Sequence, residues 1–84
     1  MMRSNAMEKD PASGRDEAAQ EYFDLGMRCA TGAGDLVAAH KWFNLAAMHG
    51  NKQATVLRVE IAAELSETEI AVAQRAARDW LAGS

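Results

Sequence analysis

The sequence predicts an all-α domain of antiparallel helical hairpins. Apolar residues recur at intervals of three and four in four successive segments, the spacing that lines one face of an α-helix. Glycine, asparagine, aspartate and serine gather at the junctions between these segments, where helices stop and start. No run alternates β-branched and polar residues as a half-buried strand would.

Residues 1–14 contain Asn5, Asp10, Pro11, Ser13 and Gly14 without any apolar period, so they are expected to form a disordered arm outside the fold. Ser4-Asn5-Ala6 ahead of Met7 is similar to the remnant of a cleaved expression tag, which would put the natural start at Met7. The helical domain is expected over residues 15–83. Its first helix starts near Asp16 and keeps Ala18, Tyr22, Leu25 and Cys29 on one face. It stops at Thr31-Gly32-Ala33-Gly34, where the two glycines can adopt positive φ and turn the chain back.

Asp35 is placed to cap the second helix, which carries Leu36, Ala39, Phe43 and Ala46 to His49-Gly50. Gly50 is the expected left-handed stop, and Asn51 the cap of a third helix through Ala54, Leu57, Ile61 and Leu65, with Arg58 and Glu60 off that face. Ser66-Glu67-Thr68-Glu69 reads as a capping box. It opens a fourth helix whose stripe is Ile70, Ala73, Ala77, Trp80 and Leu81, and Gly83 ends it. Connections this short bring successive helices antiparallel.

A chain of 84 residues holds one small core. Its apolar share is 49% but only 6% is aromatic, and alanine supplies helix propensity more than core volume. Modest stability follows, which favours a partner or self-association as a homodimer. A net charge of −3 gives no broad positive field for phosphate backbones, so nucleic acid is not the expected partner. The single cysteine, Cys29, allows no internal disulfide. Charges interrupt every apolar run, which argues against a membrane span or secretory signal and leaves the cytoplasm as the expected location.

Small residues and aromatics follow a fixed order from Leu25 to Ala54: Leu25-Gly26, Gly32 and Gly34, Ala39, Trp42-Phe43, Ala46-Ala47, Gly50 and Ala54. Alanines at these spacings let two helix backbones approach, and Trp42 and Phe43 fill the room they leave. The stretch from about Ala18 to Ala54 resembles the Sel-one-like repeat, a relative of the tetratricopeptide repeat. Two features depart from that pattern. Cys29 stands where the family has an aromatic residue, and Gly34 runs directly into Asp35 where the family inserts further residues. The resemblance implies one repeat hairpin followed by a capping helix pair, in the manner of an α-α superhelix. It also implies a scaffold that holds other proteins, without catalysis or cofactor, and contacts at Tyr22, Arg28 and Arg58.

The residues themselves point the same way. His40 and His49 are too far apart along one helix to share a metal at one-turn separation, and Cys29 adds a single soft ligand. His40 is expected to face solvent, His49 to favour the helix C-terminus through its partial positive charge, and Cys29 to be packed. Glu60, Glu64, Glu67 and Glu69 gather at a helix end and a capping box, where solvation explains them. Arg75 and Arg78 belong to a solvated face. Two other readings stay open: a metal-dependent sensor or small enzyme on a four-helix bundle, and a terminal piece of a longer repeat protein.

Overall fold

The computed structural model describes residues 12–83, with side-chain surroundings from Glu17 onward. Four α-helices account for most of them: α1 is Ala12–Met27, α2 is Leu36–Met48, α3 is Lys52–Ala62 and α4 is Glu67–Gly83. No strand occurs among the described residues. Of the expected arm, residues 1–11 lie outside this range, whereas Ala12, Ser13 and Gly14 already belong to α1.

The helix ends follow from side-chain caps. Asp35 accepts the Ala38 amide at 3.0 Å and Asn51 accepts the Ala54 amide at 2.7 Å, each satisfying an orphan donor of the first turn. The Ser66 hydroxyl accepts the Glu69 amide at 3.0 Å while the Glu69 carboxylate accepts the Ser66 amide at 2.9 Å, the reciprocal pair of a capping box. Ser66→Ala removes half of that pair and is expected to cost about 1 kcal/mol. A urea titration should show this as a lowered midpoint with an unchanged slope.

The first turn differs from expectation. α1 widens into a π-helical turn, Arg28–Ala33, before the chain reverses. The Thr31 hydroxyl donates back to the Met27 carbonyl at 2.7 Å, and the Cys29 carbonyl accepts the amides of both Gly34 and Asp35. Gly34, at φ +69°, makes the reversal, and Gly50 at φ +100° makes the next one. Gly32 lies inside the π turn and takes no positive φ. Between α3 and α4 the helix stops at Ala62, so Leu65 falls in the bend and not on the α3 stripe.

α2 is the centre of the molecule. α1, α3 and α4 each pack against it, while α3 and α4 make little contact with one another. Tyr22 meets His49 whereas the later Gly26 meets Phe43, so α1 and α2 run antiparallel. Its sequence, rich in apolar residues on every side, suits that position, and every residue from Leu36 to Ala47 is buried or half-buried. Ala39, Phe43, Ala46 and Ala54 form the core, with Tyr22, Phe23, Cys29, Ala30, Ala47, Leu57 and Ile61 around them. Leu45 is also fully buried. Cys29 is only half-buried.

Two stripes are rotated from their expected positions. On α1 the buried face is centred on Ala19 and Gly26, with Tyr22, Phe23 and Leu25 half-buried beside it. On α4, Ala73 and Ala77 are buried against the body, but Trp80 and Leu81 are each 42% exposed. The last turn of α4 therefore carries its largest side chains to the surface and not into the core.

Candidate functional site

The rings of α1, α2 and α4 meet in one cluster at the surface. Tyr22 stacks on Trp42 with centroids 5.8 Å apart and planes at 22°, and Trp80 meets Trp42 edge-on at 5.1 Å and 76°. The Trp80 indole N–H donates to the Tyr22 hydroxyl at 3.2 Å, linking α4 to α1. His49 sets its edge against Tyr22 at 5.2 Å. Its Nδ1 lies 2.9 Å from the Leu45 carbonyl and must carry the proton of that bond, because a carbonyl only accepts.

Lys41 completes the cluster. Its ammonium sits 4.1 Å from the Trp42 ring centroid and 5.0 Å from that of Trp80, a cation–π arrangement that holds charge beside an apolar surface. Met48, the last residue of α2, and Leu81, in the last turn of α4, are exposed large apolar side chains. Ring faces, a phenol, two indoles and one ammonium are suited to gripping another molecule. They form no pair of nucleophile and base.

The three residues implied as partner contacts do not come together. Tyr22 is a member of the ring cluster. Arg28 is exposed and lines a shallow groove with Glu21, Asp24 and Leu25. Arg58 is half-buried, donating to the Asn44 side chain at 2.7 Å across the α2–α3 interface. Only Tyr22 is thus part of an aromatic surface.

His40 corrects the sequence reading outright. It is 3% exposed, not solvent-facing, because α2 is enclosed on several sides and has no solvent face at that position. Its Nδ1 is buried without a hydrogen-bond partner. Burial holds the imidazole pKa below its ordinary value, and the positive charge of Arg58 pushes it the same way. The signal was present in the spacing: Leu36, His40, Phe43 and Ala47 follow one another at steps of four, three and four, so His40 shares a face with apolar residues.

The carboxylates nearest the starts of α2 and α4 are engaged chiefly as helix caps. An open groove between the starts of α2 and α4 is lined by Asp35, Glu64 and Glu69 together with Leu36, Val37 and Leu65. Asp35 and Glu69 already accept backbone amides as caps, which leaves Glu64 as a lone acid. Among the described residues no group of three or more His, Cys, Asp or Glu side chains is arranged to hold a metal ion. No helix among them is long and apolar enough to cross a membrane.

No protein-family model, curated protein or solved structure matches the chain.

Proposed function

We propose that this chain is a protein-interaction module built on a Sel-one-like repeat hairpin, α1 and α2, with α3 and α4 as the capping pair. It works by holding another protein and performs no catalysis. The observation that carries the reading is the ring cluster of Tyr22, Trp42 and Trp80 at the surface, with Trp80 and Leu81 each 42% exposed. Tryptophan, tyrosine and methionine are the residues that protein interfaces concentrate, and exposed apolar groups beside such rings favour association. The small residues of the repeat pattern support the hairpin itself: Ala39, Ala46 and Ala54 are fully buried, Gly26 lies under Phe43, and Gly34 and Gly50 turn the chain.

Trp80→Ala tests this surface, because the side chain is exposed enough that its loss should leave the core standing. Wild-type protein on a support is expected to retain a defined protein from its source cell in stoichiometric amount, and Trp80→Ala to reduce that recovery at least tenfold. Arg28→Glu and Arg58→Glu measure the repeat-like surface in the same assay. Equal recovery by wild type and Trp80→Ala, with both folded by circular dichroism, would remove the cluster as the binding surface. Light scattering at high micromolar concentration separates capture of a different protein from pairing of two copies: a dimer that Trp80→Ala dissociates would make the partner a second copy.

A further inference from the structure

The charge held over the ring cluster has no acceptor. The Lys41 ammonium lies within cation–π reach of two indoles, Trp42 at 4.1 Å and Trp80 at 5.0 Å, whose planes stand at 76° to one another. Ring faces attract the charge, but they do not replace the oxygen acceptors that an ammonium takes with its three N–H donors. Among the described residues no hydrogen bond or ion pair reaches Lys41, although the residue is half-buried. The charged neighbours of the other ring residues do not supply a counterion. Arg78 and Asp79, exposed beside Trp80 in the chain, carry opposite signs, and Glu21, next to Tyr22, lines the groove of Asp24 and Arg28.

With the cluster as the binding surface, we infer that it selects partner segments in which an aspartate or glutamate stands beside apolar side chains. The carboxylate accepts the free N–H donors of Lys41, and its apolar neighbours cover the exposed parts of Trp80 and Leu81. An ammonium seated against indoles is already partly stripped of water and held in place, so a carboxylate that reaches it makes a charge-assisted hydrogen bond at little further ordering cost. A partner lysine or arginine at the same point meets a like charge and gains the rings only by displacing Lys41 from both. The net charge of −3 attracts no polyanion, which favours one acid set among apolar residues over a run of them.

A random peptide library of known composition, displayed on phage, is the probe. It is panned against wild type, Trp80→Ala, Lys41→Gln and Lys41→Glu, each checked for folding by circular dichroism. Peptides that wild type retains and Trp80→Ala loses are expected to carry aspartate or glutamate next to a large apolar residue at least about threefold above the library frequency. Lys41→Gln should flatten that bias, and Lys41→Glu should invert it towards lysine and arginine. As free peptides, the enriched sequences should change tryptophan emission, which reads this cluster alone because both tryptophans of the chain belong to it. Their affinity should fall as salt rises from about 0.05 to about 0.5 M.

Trp80-dependent peptides without an acidic bias, or an acidic bias that persists in Lys41→Glu, would overturn the carboxylate preference and leave the interaction surface standing. Peptides retained equally by wild type and Trp80→Ala would remove the surface and the preference together. If Lys41→Glu does not fold, a bias that persists in Lys41→Gln, or an affinity indifferent to salt, overturns the preference in its place.

Discussion

Phe43→Ala is expected to destabilise the protein by about 3–5 kcal/mol, enough to leave much of it unfolded at room temperature. Phe43 is one of the two largest fully buried side chains, and its ring closes the space between the small residues Gly26, Ala39 and Ala46. Removing it leaves a cavity that alanines cannot collapse to fill, and the cost combines lost transfer energy with that void. Trp42→Ala should cost less, since Trp42 is only half-buried and its partners Tyr22 and Trp80 are themselves at or near the surface. Urea denaturation monitored by circular dichroism measures both. A loss below about 1 kcal/mol for Phe43→Ala would mean that the ring is not the centre of the core.

Substitution of Gly26 is expected to produce the second large effect, with a sign opposite to the usual one. In a helix interior, glycine to alanine normally stabilises by about 1 kcal/mol through propensity alone. At Gly26 an added Cβ would lie 2.6 Å from both Cδ1 and Cε1 of Phe43, and that ring is enclosed and has nowhere to move. Gly26→Ala should therefore be destabilising by about 1–3 kcal/mol, and Gly26→Val by more. Gly32→Ala is the matched control, because a Cβ there meets nothing within 4 Å and the residue needs no positive φ. A smaller residue at position 43 should relieve the clash, so Gly26→Ala combined with Phe43→Leu is expected to be less damaging than the sum of the two changes. Strict additivity would show that the residues do not touch.

Much of this arrangement was legible in the sequence because local chemistry fixes it. Asp35, Asn51 and the Ser66/Glu69 pair cap helices as their side chains dictate, and Gly34 and Gly50 turn the chain because positive φ is easiest there. The α3 face of Ala54, Leu57 and Ile61 needed only its period. What escaped depends on which helix occupies the middle. Periodicity assigns each helix one inward face, whereas α2 is flanked by α1, α3 and α4, and that enclosure buried His40 where a solvent face was expected. The π turn after Met27 also escaped, since it depends on Thr31 bonding back to Met27 and on the bonds converging on the Cys29 carbonyl.

The candidate site was half visible. Trp42, beside the alanines of α2, and Trp80, on the apolar stripe of α4, both read as core residues, and Trp80 instead rides the exposed last turn of α4. Its partners lie 38 and 58 residues away in sequence, at Trp42 and Tyr22, a distance over which no pattern in one chain registers contact. Lys41 was not distinguishable from any other charged residue until two indoles met beneath it.

The α1–α2 seam is so close that the Phe43 ring lies directly on the Gly26 backbone, and a two-dimensional NOE spectrum measures that seam itself. It should contain strong cross-peaks from the Gly26 α-protons to the Phe43 ring protons, with those α-protons shifted upfield by the ring current. Gly26 α-protons at ordinary helical shifts, with no cross-peak to Phe43 in a folded sample, would contradict it.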